Sequence, residues 1–424
     1  MKTDVLVIGS GLAGLCAGLA SQRSGARTTL LYTGSGVLYL ASGCIDLMAY
    51  IGGRPGPACD DPLAAIAKVR DENPEHPYAR IDDDSLESLL AVFGDECGAQ
   101  GLRMTFDFHA NRKIPTSLGT ARPTWMVSRT MATGDLNDKT PITMVGFEGL
   151  RDFTPELAAR EIRRRFDIDV EVKHFNAAPL MMRERVNAVT LGNAFEKNWF
   201  IEAFAEWMRW NTKEGRRIGI PAVLGVDGAD LAHRRLEKLT ERHIFEIPML
   251  PPSLPGRRIH QAVRRAFLEA GGQYIGGLTA TGAVKQGNVI SAIPASGRGG
   301  KAFSAKAFVL ATGSFFSGGL VCGRDRIYEP ILDLPVAFVP EGKRFSEKFL
   351  PEQGHPISRA GLVVDSRFRP RQPEGDVVYE NLFACGDLLG GFDSLMERCG
   401  GGTAICSGTM AGREAAKTAL GIQE

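Results

Sequence analysis

The chain opens on an unbroken apolar run, Val5-Leu6-Val7-Ile8, followed at once by glycine. A short run of this kind predicts a strand buried on both faces, as in a parallel sheet. From Gly11 to Ser24 the pattern changes. Small residues Ala13, Gly14, Ala17 and Gly18 recur at helical spacing, which predicts a helix whose small-residue face lies against the sheet. Gly25 suits the left-handed position that ends a helix. The residues 28–32 predict the next strand, completing a β-α-β unit of about thirty residues.

Further along, residues 34–60 are glycine-rich and predict loop. Helices are predicted over 60–71 and 84–98, with a turn at 73–78. A separate α/β pattern then sets in. Strands are predicted at 141–147, 168–175, 217–224 and 243–250, and helices at 154–166, 196–211 and 229–240. After a helix at 257–270 come short strands at 273–280, 282–286, 289–294 and 302–304, a buried strand at 307–311, and a final helix at 403–420 rich in Ala and Gly. The pattern divides the chain into a discontinuous first domain, 1–55 with 251–424, and an inserted α/β domain, 56–250, facing substrate or partner.

Composition narrows the function. An apolar fraction of 44% supports a substantial core, and 50 Lys and Arg nearly cancel 49 Asp and Glu. That balance argues against nucleic acid as the main partner. No run of apolar residues is long enough to span a bilayer, and the first strand starts too early to leave room for a signal peptide. None of the eight cysteines is spaced Cys-x-x-Cys, so no metal or iron–sulfur site is expected in this chain. Cys44 and Cys399 are expected as structural thiols, and a reducing, cytoplasmic setting is the simpler reading.

The chemistry lies at the two ends. Gly9-Ser10-Gly11-Leu12-Ala13-Gly14 follows a strand and opens a helix. Gly9 permits the turn, Gly11 lets backbone approach a phosphate, and Gly14 lets helix pack on strand. The helix N-terminus supplies free N–H groups and a favourable dipole for the anion. A dinucleotide site normally places Asp or Glu at the end of the second strand to hold the adenosine ribose. Here that place falls on Tyr32 or Thr33. FMN lacks that ribose and needs no such acid; alternatively, Thr33 or backbone serves FAD. Thr312-Gly313, after the strand at 307–311, brings the chain beside the cofactor. Asp387, in Cys385-Gly386-Asp387, accepts hydrogen bonds from ribityl hydroxyls. Gly400-Gly401-Gly402-Thr403 opens the last helix toward the flavin's pyrimidine end, where its dipole stabilises negative charge. Gly43 and Asp46 lie in the loop that such folds pass along the flavin. Arg324 is the candidate anchor for an anionic substrate, and Glu329 the candidate proton carrier; surface salt bridging is the competing reading for both. These elements predict an α/β protein with a Rossmann-like FAD/NAD(P)-binding flavoprotein fold and an inserted α/β domain.

The same strings carry a resemblance. Gly9–Gly14, Ser42–Leu47, His76-Pro77-Tyr78, Gly313–Val321, Glu329–Leu332, Leu389–Asp393 and Cys399–Gly402 together resemble the B subunits of bacterial anaerobic glycerol-3-phosphate dehydrogenases. The resemblance implies an FMN-type flavoprotein subunit, a catalytic FAD-bearing A subunit, and an iron–sulfur C subunit at the membrane. It implies oxidation of glycerol 3-phosphate to dihydroxyacetone phosphate, with electrons passing to quinone, at the cytoplasmic face of the inner membrane through the partners. Ile327-Tyr328-Glu329 lacks the basic residue expected before the Glu in that family. Two other functions fit the residues: a non-catalytic scaffold subunit, and a stand-alone flavin-dependent oxidoreductase on another substrate.

Overall fold

The computed structural model describes residues 2–53, 56–181, 185–297, 300–340 and 342–422. The chain divides into two compact units. The first comprises Met1–Val37, Asp46–Glu96 and Val263–Glu424; the second comprises Leu38–Ile45 and Cys97–Ala262.

The first unit is built on a five-stranded parallel sheet. Its order is Gln273–Gly276, Thr28–Tyr32, Val5–Ile8, Ala307–Leu310, Leu382–Ala384. The opening run Val5–Ile8 is therefore central, and all four of its residues are buried, as an unbroken apolar strand requires. The single strand expected over 273–280 splits at Gly277, whose φ is +75°. Gln273–Gly276 joins the parallel sheet, while Leu278–Ala280 joins an antiparallel meander with Val289–Gly297.

Two helices from opposite ends of the chain, Leu12–Arg23 and Gly400–Leu420, pack side by side on this sheet. A Cβ at Gly408 would lie 2.4 Å from the Ala13 carbonyl oxygen, and one at Gly412 would lie 2.2 Å from that of Ala17. Any side chain there would part the helices. Both contacts advance by four residues in each helix, so the helices run in the same direction. With a rise of about 1.5 Å per residue, the later helix begins about 10 Å beyond the start of the earlier one.

The domain boundary expected at 55/56 is not where the packing changes, because Asp46–Glu96 belongs to the first unit. Tyr78 is fully buried; its hydroxyl donates to the Leu47 carbonyl at 2.8 Å and lies 3.4 Å from that of Cys399. These partners are far from Tyr78 in sequence, so periodicity carries no trace of them. The other boundary falls within the helix Leu254–Glu269 rather than at 250/251.

The second unit holds a four-stranded parallel sheet, ordered Ile244–Ile247, Arg217–Pro221, Ile142–Phe147, Val170–Phe175. Phe147, Phe195 and Phe204 meet in its core with centroid separations of 5.4 to 5.9 Å. A helix not anticipated from the pattern, Ala188–Phe195, starts at Asn187, whose side chain accepts from the Val189 and Thr190 N–H groups. Within the same unit Arg258 and Glu246 form a buried pair at 2.6 and 3.0 Å. Thr130 and the Leu224 N–H also donate to Glu246. Burial alone would push the Glu246 carboxyl up; Arg258 and the other donors outweigh it and hold it below the usual carboxylate range.

Arg258→Ala should therefore cost about 3–5 kcal/mol at neutral pH, because it strands a buried charge. A depressed folded-state carboxyl contributes stability above the unfolded value and loses it as pH falls through the folded value. The deficit of the variant, read from denaturant midpoints, should accordingly shrink in acid as Glu246 becomes neutral.

Candidate cofactor site

The three glycines of the first string do different work. Gly9 has φ +112°, and a Cβ there would lie 2.2 Å from the Ala311 carbonyl oxygen; at Gly14 it would lie 1.9 Å from that of Gly9. The fold itself demands these two. At Gly11 a Cβ would meet nothing within 4 Å. That position faces open space, which leaves bare backbone for a ligand to approach. Gly11 is also the N-cap of Leu12–Arg23, with no side-chain cap and no acid in the first turn. The positive pole formed there by Leu12, Ala13 and Gly14 is left for an anion. The Ser10 hydroxyl donates to the Gly34 carbonyl at 2.8 Å, and Gly36 packs on the Gly11 Cα, so the loop after the second strand closes on the rim of the cradle.

The late segments arrive at the same place. Strand Ala307–Leu310 delivers Thr312, whose hydroxyl oxygen is buried and has no hydrogen-bond partner among the described residues. Gly313 follows with φ +72°. Gly386 packs on the Ala13 Cβ, and its N–H donates to Ser407 at 2.9 Å. Asp387 is next; burial pushes its carboxyl up, against a Ser394 hydrogen bond that lowers it. Gly400–Leu420 then starts with neither a side-chain cap nor an acid in its first turn. The Gly402 N–H donates to the Asp46 carbonyl at 2.9 Å, while Gly400 and Gly401 form the half-buried rim of the pole. Two uncapped helix poles, one for a phosphate and one about 10 Å further on, with an unpartnered hydroxyl and a carboxyl alongside, make up a site suited to a flavin.

Residues 4–403 match the family described as FAD binding domain. The chain is 32% identical over 421 residues to the B subunit of anaerobic glycerol-3-phosphate dehydrogenase from Yersinia pestis, covering 96% of each chain. It is 28% identical over 439 residues to the protein of the same name from Vibrio vulnificus, covering 100% of this chain and 99% of that one. The chain belongs to this family of FAD-binding-domain proteins, the B subunits of anaerobic glycerol-3-phosphate dehydrogenase. It is a flavin-binding protein of the α/β flavoprotein fold.

Four expected site residues of this family member lie apart from the cradle's chemistry. The Thr33 hydroxyl donates to the Leu278 carbonyl at 3.2 Å and meets Thr279. Gly43 falls in the second unit, where φ +80° and close packing on Pro255 already account for it. Glu329 is buried, and its two carboxylate oxygens accept the Ile331 and Leu332 N–H groups, closing its own turn. Burial pushes its carboxyl up. Arg324 is exposed. A turn-closing carboxylate and a surface guanidinium do not form a catalytic pair. An open cleft of about 920 Å³ is lined by charges of both signs, Lys348 and Arg359 with Glu347 and Glu352, together with His355. A Cβ at Gly354, in the same wall, would lie 2.7 Å from the Asp393 carboxylate, which puts the cleft beside the segment leading into the last helix.

One cluster was not anticipated from the sequence, where His76 entered only as part of the His76-Pro77-Tyr78 string. His76, Glu397 and Cys399 are all buried, with donor atoms within 4.8 Å of one another. His76 Nδ1 accepts the Tyr78 N–H at 3.1 Å, so Nε2 carries the ring hydrogen and donates to Glu397 at 3.2 Å. This tautomer leaves Nε2 no lone pair for a cation. The Cys399 thiol lies 3.7 Å from the same Glu397 oxygen. The signal was in the sequence: His76 and Cys399 both sit inside strings that carry the family resemblance.

Gly11→Leu separates ligand from fold. The chain should still fold, since the added side chain enters open space and the poorer helix N-cap costs about 1 kcal/mol, yet purify with at least about tenfold weaker flavin binding, a loss of about 1.4 kcal/mol. Visible absorbance per chain reads the outcome; full retention would show that no phosphate sits at this cradle.

Proposed function

We propose that this chain is the flavoprotein subunit of an anaerobic glycerol-3-phosphate dehydrogenase, acting in a complex that oxidises glycerol 3-phosphate to dihydroxyacetone phosphate. The observation that carries the reading is an intact, two-ended flavin site in a chain that aligns along 96% of its length with relatives of that name. A bound flavin supplies the acceptor for the two electrons that leave a secondary alcohol. The chain's own groups do the rest. The N-terminal pole at Gly11–Gly14 holds phosphate, Asp387 accepts from ribityl hydroxyls, and Thr312 offers the buried hydroxyl. The pole at Gly401–Thr403 faces the ring's pyrimidine end, where negative charge gathers on reduction. Lys348 and Arg359 are the cations of the nearby cleft that could meet an anionic substrate, with Glu347 and Glu352 on the same wall.

The flavin we propose is FMN. Residues 32–42 contain no acid. Tyr32 packs on Tyr274 with the rings tilted and their centroids 4.2 Å apart, Thr33 is spent on the meander, and Gly36 seals the cradle's rim. No carboxylate at the end of the second strand awaits an adenosine ribose. The partners are an FAD-bearing A subunit and an iron–sulfur C subunit. Electrons leave through the C subunit toward quinone, which places the chain peripherally at the cytoplasmic face of the inner membrane. The second unit is the docking surface: Trp199, Trp210 and Leu231 are exposed there on two helices, Asn198–Asn211 and Ala229–Thr240, joined by Arg235 to Asn198 and Glu202.

Acid release from purified chain should yield FMN by chromatography and mass; FAD as the sole species would overturn that assignment. With the A and C subunits present, glycerol 3-phosphate should bleach this chain's flavin and drive dye reduction, whereas the isolated chain should show little or none. Robust substrate-dependent dye reduction by the chain alone would show that it needs no partner for turnover.

A further inference from the structure

Glu397 is a carboxylate in the interior, 4% exposed, whose one ion-pair partner among the described residues is His76. The His76 ring accepts the Tyr78 N–H on Nδ1 and turns Nε2 to Glu397. A second ring proton would sit on Nδ1, directly facing the Tyr78 N–H that Nδ1 now accepts. Glu397 thus relies on three hydrogen bonds: from His76, from Cys399, and from the Asp393 N–H at 3.2 Å. The surrounding titratable groups are occupied otherwise. Arg398 reaches toward Asp46, Arg359 acts on Asp393, and Asp387 lies on the Cys399 side of the cluster. Burial pushes up the Tyr78 hydroxyl and the Cys399 and Cys406 thiols, so all three stay protonated.

Cys399 is also the N-cap of the last helix. Glu397 therefore stands beside the pole that faces the flavin in the reading proposed above, on which this inference rests. An electron pair entering the ring adds negative charge at a pole that Glu397 already shares. Like charges in a poorly solvated interior raise the proton affinity of a carboxylate. The surroundings can accept the change without moving backbone. A protonated Glu397 becomes a donor and needs an acceptor. The Cys399 sulfur has lone pairs, and its hydrogen can turn to Thr403, whose buried oxygen lies beside that thiol and the Tyr78 hydroxyl and has lone pairs to accept it.

We propose that Glu397 takes up one proton as the flavin takes up two electrons, with Cys399 and Thr403 turning their hydrogens to accommodate it. The electron pair comes from the alcohol substrate, or from dithionite in the test. One proton enters the ring with the pair and one passes from solvent to the Glu397 carboxylate, forming an O–H bond; no other covalent bond changes. Glu397 is a positioning and proton-holding residue, not one that touches substrate.

The test is the pH dependence of the flavin midpoint potential in the full chain, by dye-equilibrated dithionite titration. The wild-type chain should take up two protons per electron pair and Glu397→Gln only one, while Asp393→Asn keeps two. An unchanged proton count in Glu397→Gln, or a loss in Asp393→Asn instead, would overturn the assignment. Should Glu397→Gln fail to fold, reduced-minus-oxidised infrared spectra of wild type carrying ¹³C-glutamate decide it. A protonated glutamate carbonyl band should appear on reduction, and its absence would sink the proposal. A wild-type chain that binds no flavin at all would instead remove the flavin reading beneath it.

Discussion

The contact between Leu12–Arg23 and Gly400–Leu420 governs this protein's chemistry. Two helices from opposite ends of the chain meet backbone to backbone, because Gly408 and Gly412 present no side chain to Ala13 and Ala17. Closeness alone would be unremarkable in a tightly packed interior. What matters is the shared direction. Parallel helices align their dipoles, so both positive poles point to the same end of the sheet. In the reading proposed above, the offset of the poles lets one serve a phosphate and the other a ring. Antiparallel packing with the same buried area would place a negative pole where the reduced flavin gathers its charge.

The central strand, the cradle and the β-α-β unit were legible because each depends on neighbours in sequence. An unbroken apolar run, small residues at helical spacing and glycines at fixed offsets are local signatures of burial and close approach. The late strand and the Gly386-Asp387 turn were legible for the same reason. What stayed hidden was set by distance along the chain. Asp46–Glu96 shows helices of its own, and nothing local says that Tyr78 will bury itself against Leu47 and Cys399. Glu329 was misread because a carboxylate that closes its own turn has the same letter as one that moves a proton. Gly43 was misread because packing on Pro255 calls for glycine as surely as a ligand does.

The buried carboxylates show two ways of holding a charge away from water. In the second unit, Glu246 is matched by Arg258 at close range and also receives neutral donors. That arrangement fixes both protonation states. In the first unit, Glu397 faces a histidine whose Nδ1 accepts a backbone N–H. A carboxylate held by such hydrogen bonds keeps a protonation state that nearby charge can alter. The contrast separates a group that sets structure from one that answers to chemistry.

Building one pocket from both ends of a chain also has a timetable. A ribosome makes the cradle first and the last helix some four hundred residues later, about 20 to 80 s at synthesis rates of roughly 5–20 residues per second. Until Gly408 and Gly412 emerge, the cradle helix has no partner to cover Ala13 and Ala17, and the second pole does not exist. A chain cut short anywhere before residue 400 could fold its first strands yet have nothing to close over a cofactor. Yellow colour in a cell extract would then report finished chains, and colour would be a measure of complete translation.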